Sequence, residues 1–259
     1  MAGLSQVEQS TMSKNDRSSW LAESLRLTAF MPAEPDQADL SGSWKALVGD
    51  EPDDVELKPK EHVLQESGSF HEATLIFRHI PHRTDWIVRS SQISLDTCDT
   101  IGKFVDETPV FVRLMKKWLA ASPEIKRLAF GAVLIDPVRD HDEGCTKVSG
   151  YLPFKVDLRS RNFMYQINRR RDSRLGVAGL AINRLSKWSC IELQIAQFMV
   201  GKKPEMVKSD SPSPVAVRLE VDINTVPEYP ESLDPGTLID LFDECVNLGR
   251  EIAEKGDIP

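Results

Sequence analysis

Residues 163–188, FMYQINRRRDSRLGVAGLAINRLSKW, decide how this chain is read. Phe163, Tyr165 and Ile167 take turns with Met164, Gln166 and Asn168, a period of two that belongs to a strand. DSRLGVAG supplies the glycines of a connecting loop, and LAINRLSKWSCIELQIAQFMV, residues 180–200, continues as a long second strand. Its apolar phase moves from even positions (Leu180, Ile182) to odd ones (Ile191, Leu193, Ile195), which predicts a β-bulge or sharp bend near Ser186 to Trp188. A hairpin of this kind belongs to an antiparallel sheet.

The same stretch concentrates charge. Between Arg159 and Lys187 stand eight basic residues and one acid, Asp172, in a 259-residue chain whose net charge is −8. The remainder is strongly acidic, and a pI near 5.3 argues against a general nucleic-acid binder, which carries a domain-wide positive balance. No run of residues reaches the roughly 18 to 20 apolar positions a membrane helix needs, and the first 20 residues lack the apolar stretch of a secretory signal. A cytoplasmic location is the expectation. Cys98, Cys145, Cys190 and Cys245 are widely spaced without a C-x-x-C pair, so they read as free thiols.

Working outward, residues 1–18 read as a disordered tail and 19–259 as a single domain, divisible into subdomains 19–143 and 144–259. SWLAESLRLTAFM predicts a strand with Leu25, Leu27 and Ala29 on one face, and DLSGSWKALVG a short helix ending at Gly49. DEPDDVELKPK reads as an exposed loop. SFHEATLIFRHIPHRTDWIVRSSQISL predicts paired strands around a turn between Ile80 and Asp85. ETPVFVRLMKKWLAASPE predicts a helix capped by Thr108, with Pro109 in its first turn and Phe111, Leu114, Met115, Trp118 and Leu119 on one face.

IKRLAFGAVLIDP is a buried strand ending at its proline, DPVRDHDEGCTK an acidic loop, and GKKPEMVKSDSPSP a solvated one. VAVRLEVDINTV places Val217, Leu219, Val221 and Ile223 on one face. The chain closes with a helix from Asp234–Pro235 to Gly256, whose stripe is Leu238, Leu241, Phe242, Cys245, Leu248 and Ile252. Adjacent strands with few helices define an α+β fold: a mainly antiparallel sheet with two or three helices packed on it.

The helix running into IKRLAFGAVLID, the hairpin YQINRRR to LAINRLSKW, and LEVDIN followed by a terminal helix resemble a sporadically distributed bacterial family of about 260 residues that has no assigned activity. The resemblance spans most of the chain beyond Leu25. It implies this fold and, from its sporadic distribution, a role linked to mobile elements or phage defence. It implies no reaction.

Arg169, Arg170, Arg171, Arg174, Arg184 and Lys187 are the candidate contacts to an acidic or polyanionic partner, because guanidinium groups grip oxyanions through a rigid fork. Alternation sends Arg169 and Arg171 to one face and Arg170 to the other. The bland alternative is an exposed hairpin that answers acidic segments of the same chain. Tyr165 and Trp188 are candidates for stacking a base beside those arginines. The repeated INR puts Asn168 and Asn183 where they can read a base edge or, as the better reading, bond one another across the sheet.

His79 and His82 read as exposed turn residues, and neither they nor the acids of DPVRDHDEG form a metal set. Cys98 lies between carboxylates that disfavour its thiolate, so it reads as structural. No Walker loop, G-x-S-x-G elbow, G-x-G-x-x-G turn or H-E-x-x-H occurs, and no catalytic residue, cofactor or metal is assigned. The expected function is a non-enzymatic binding module, a subunit or accessory of a multiprotein complex. The alternatives are nucleic-acid or nucleotide binding by the same hairpin, and an enzyme built on the histidines or the acidic loop.

Overall fold

Strand β1 (Leu21–Phe30) buries Leu25, Leu27 and Ala29 completely on one side, as the alternation demands. The computed structural model around it describes residues 19–33, 42–91, 99–192, 196–198, 206–208 and 214–257. The tail expected at 1–18 and Cys98 lie outside the described residues. The other strands are β2 (Asp54–Lys58), β3 (Val63–Phe70), β4 (Ala73–Ile80), β5 (Arg83–Ser90), β6 (Gly102–Lys103), β7 (Arg127–Val138), β8 (Met164–Asn168), β9 (Arg171–Asp172), β10 (Ala181–Glu192), β11 (Ala196–Phe198), β12 (Met206–Lys208) and β13 (Val215–Thr225).

Eleven of them make one antiparallel sheet in the order β2-β3-β4-β5-β1-β7-β13-β10-β8, with β6 on β1 and β9 on β10. Strands from both halves of the chain therefore share one sheet, joined where β7 pairs with β1 and β13. β11 and β12 form a separate ribbon within what reads in the sequence as strand end and solvated loop.

Four α-helices are described: α1 (Ser43–Val48), α2 (Phe104–Leu119), α3 (His141–Ser149) and α4 (Pro235–Lys255). All four pack on the same side. Trp44 of α1 stacks on Trp86, Phe242 of α4 meets Phe111 of α2 and Phe130 of β7, and Gly144 of α3 rests against Cys190 and Val138. Cross-strand register puts Trp86, Leu27, Phe130 and Ile223 in one row on that side. The α+β reading holds, with Val217, Leu219, Val221 and Ile223 and the whole predicted stripe of α4 buried.

Several local expectations are corrected. The acidic segment before α3 is a helix start, because Asp140 accepts the Glu143 N–H at 2.9 Å while Glu143 accepts the Arg139 N–H at 2.8 Å. DVELK is strand β2, exposed at every residue but paired to β3 throughout. α2 begins at Phe104, and Thr108 lies inside it, donating its hydroxyl to the Phe104 carbonyl at 2.5 Å. Pro109 is tolerated there because Val105, whose carbonyl loses its donor, is solvent-exposed.

β7 continues through Pro137, whose missing N–H faces the side where β1 pairing has already ended at Ile135. β10 pairs with β13 without interruption from Ile182 to Glu192, so no bulge exists at Ser186 to Trp188. Leu185 and Ile191 simply point to the other face. The bulge in the sheet lies on β1 between Ala22 and Ser24.

Candidate functional site

Most of the hairpin's cations are engaged by acids of its own protein. Arg169 grips Asp257 through Nε and Nη2 at 2.7 and 3.1 Å, and Tyr165 donates its hydroxyl to the same carboxylate at 3.2 Å. Arg171 faces Glu244 at 3.8 Å, Arg184 faces Glu251 at 3.9 Å, Arg170 reaches Glu228 at 3.7 Å, and Lys187 holds Glu220 at 2.9 Å. Arg174 gives its backbone N–H to Glu244 at 3.0 Å. Burial among like charges also lowers the Arg184 pKa, desolvation being the larger cause. Of the six candidates, Arg170 and Arg174 are the exposed ones.

Trp188 is corrected outright. It has no exposed surface, stacks on Tyr151 at 5.1 Å and donates its indole N–H to Ser186 at 3.2 Å. It sits at an even position of β10, beneath the helices, where no base can reach it. Tyr165 is half-buried on the same side. The asparagines do bond across the sheet: Asn168 donates to Asn183 at 3.0 Å, and Asn183 to Asn224 at 3.1 Å. His79 is buried, not exposed, with Nδ1 3.1 Å from the Thr84 hydroxyl. His79 lies near the end of β4 and His82 in the β4–β5 turn, whereas the acids of α3 lie over β7, β13 and β10, so the two sets do not meet. Among the described residues no cluster of metal-ligating side chains is found.

The surface that sequence reasoning missed is the other face of the sheet. None of the four described helices covers it. On the nine strands of the main path it carries eight cations (Arg26, Lys58, Arg78, Arg83, Arg89, Arg127, Lys187 and Arg218) against six acids (Glu23, Asp54, Glu56, Asp85, Glu220 and Asp222). Ion pairs engage part of this set: Arg83 with Asp85 at 2.9 Å, Lys58 with Glu56 at 2.8 Å, and Arg218 with both Glu220 and Glu23. Among the described residues Arg78, Arg89 and Arg127 have no ion-pair partner. Arg127 instead lies over the Phe30 ring at 4.7 Å, with Arg83 at 5.8 Å.

At the centre of this face is a cleft of about 410 Å³ floored by Gly131 and walled by Arg26, Leu185, Lys187, Glu220 and Asp222. A side chain at position 131 would press on the Arg26 guanidinium at 3.2 Å, so glycine is what lets Arg26 lie flat on the sheet. Its Nη2 meets Asp222 at 3.4 Å, while its buried Nε has no partner among the described residues. The available signal in the sequence was modest: charges on one face of β5 (Arg83, Asp85 and, past Ile87, Arg89) and at every second position of β13 from Arg218 to Asp222.

Compared with protein-family models, curated proteins and solved structures, the chain matches none. No helix among the described residues is long and apolar enough to cross a membrane.

Proposed function

We propose that this chain is a non-enzymatic binding module, a subunit or accessory of a larger assembly, that docks an acidic or polyanionic partner on its uncovered sheet face. One observation carries the reading: a chain of net charge −8 presents a broad face on which cations outnumber acids. On the opposite side acids outnumber cations in one groove, where Asp240, Asp243, Glu244, Glu251 and Glu254 of α4 stand with Arg174, Arg250 and Lys255. Segregation of this kind orients an approaching partner and raises its association rate. Exposed Arg78 and Arg89 hold no internal ion pair among the described residues, although Arg78 is near enough to Glu56 to help Lys58 lower its pKa, and they supply the guanidinium forks.

The test compares Arg78→Glu/Arg89→Glu with Arg170→Glu/Arg174→Glu by retention on heparin and by affinity capture in which bound protein and nucleic acid are both identified, with and without nuclease. The sheet-face pair abolishes retention and capture, while the hairpin pair leaves both near wild type. Loss in the hairpin pair alone returns the partner to the arginine hairpin. Nuclease-sensitive capture lost in the sheet-face pair makes the polyanion a nucleic acid.

A further inference from the structure

Two thiols that the binding role does not use meet beneath the sheet. Cys145 projects from α3 into the core and Cys190 from the covered side of β10, and neither is in a disulfide. The two thiols are close enough that each shifts the acidity of the other. Gly144 makes the approach possible, because a Cβ there would collide with the Cys190 Sγ. His141, one turn earlier on α3, holds Nδ1 3.5 Å from the Cys145 Sγ, and its carbonyl lies 4.0 Å from the Cys190 Sγ.

Cys190 is the member of the pair reachable from outside. β8 ends its pairing with β10 at Ser189, and beyond that point Cys190 lines a cleft of about 440 Å³ with His141 and Arg161. Cys190 is 7% exposed and Cys145 not at all. We propose that Cys145 and Cys190 form a reversible intramolecular disulfide that staples α3 to β10 under peroxide. The Cys190 sulfur attacks peroxide, the O–O bond breaks, and one water leaves a sulfenic acid. The Cys145 sulfur then displaces the hydroxyl from Cys190 as a second water, with His141 accepting the Cys145 proton and passing it to the departing oxygen. Two thiols lose two electrons and one peroxide becomes two waters.

Burial pushes the Cys190 thiol up to about 11, so its reaction accelerates as pH rises towards that value. Cys245, fully buried on α4, is the internal control.

The experiment treats the full chain with hydrogen peroxide at pH 7 and pH 9, blocks thiols with iodoacetamide in denaturant, and maps peptides by mass spectrometry. The expected result is a Cys145–Cys190 cross-linked peptide, formed at least tenfold faster at pH 9, erased by dithiothreitol, with Cys245 recovered alkylated. In Cys145→Ser, Cys190 stops at sulfenic or higher acids. Recovery of both cysteines as alkylated thiols, under conditions that oxidise an added dithiol peptide completely, overturns the proposal. So does a map dominated by cross-links through Cys98 or Cys245. The wild-type map decides even if the serine variant does not fold.

Discussion

The hairpin and the uncovered sheet face both carry dense positive charge, and they use it in opposite ways. In the hairpin, Arg169, Arg171 and Arg184 point under the helices and meet Asp257, Glu244 and Glu251, three acids contributed by α4 and the residues just after it. On the sheet face, Arg78 and Arg89 point into solvent with no ion pair among the described residues. Charge density along the sequence therefore marks where the fold is fastened, and dispersed charge brought together by strand register builds the face on which the proposed function places a partner. Substitution in the first region should cost stability, and in the second, binding.

The largest effect that sharpens this contrast is at Trp188. If it is core, as its full burial against Tyr151 requires, Trp188→Ala lowers unfolding free energy by about 3 to 5 kcal/mol in denaturant titrations. Partner affinity of the remaining folded fraction is unchanged. A stable variant with weakened binding would put Trp188 at a contact surface and break the comparison.

Next in size is Glu244, whose carboxylate accepts the Ser173 hydroxyl at 2.6 Å and the Arg174 N–H at 3.0 Å while facing Arg171. Glu244→Ala leaves these groups without their acceptor inside a largely buried contact. The expected cost is about 3 kcal/mol, read as a lower midpoint of urea unfolding, with heparin retention kept. The sheet-face pair reverses that pattern. Arg78→Glu/Arg89→Glu changes stability by no more than about 0.5 kcal/mol for each site, because exposed side chains without buried partners contribute little to folding. It removes polyanion retention all the same. Equal losses of stability and binding in both sets of variants would erase the distinction.

The fold was legible for reasons visible in individual elements. β1, β13 and α4 have one face that must be buried, and their sequence periods report it directly. α3 was not legible because its capping acids, Asp140 and Glu143, look like loop composition until their spacing is read as N-cap and N3. The bulge assigned to β10 arose from treating the odd positions from Ile191 onward as core, when Ile191 belongs to the second face of a wide sheet. The candidate surface was harder. Arg26, Arg78, Arg89 and Arg218 come from four strands spread over nearly 200 positions, and only the order β4-β5-β1-β7-β13 sets them on one face. The hairpin arginines were conspicuous for the opposite reason: they are neighbours in sequence, while the acids that neutralise them lie about 60 to 90 positions away.

Glu66 gives the smallest and most local test of the same rule, that unpaired charge is costly under the helices and tolerable on the open face. It lies on the covered side of β3 opposite Phe77, accepts the Trp44 backbone N–H, and leaves Oε2 buried without a partner among the described residues. Desolvation is the main cause that raises its pKa above the ordinary carboxylate range, outweighing the Trp44 hydrogen bond. A carboxyl with a raised folded pKa binds its proton more tightly in the native state. Its contribution is thus fully present below the unfolded value, about 4.3, and is lost as pH rises through the folded one. Glu66→Gln should leave stability near pH 4 almost unchanged and raise it at pH 8, reducing the decline that wild type shows between them. Urea midpoints at the two pH values measure this. An equal shift at both would mean that the ionised carboxylate is no burden where it lies, and that burial under the helices does not set the cost of charge in this sheet.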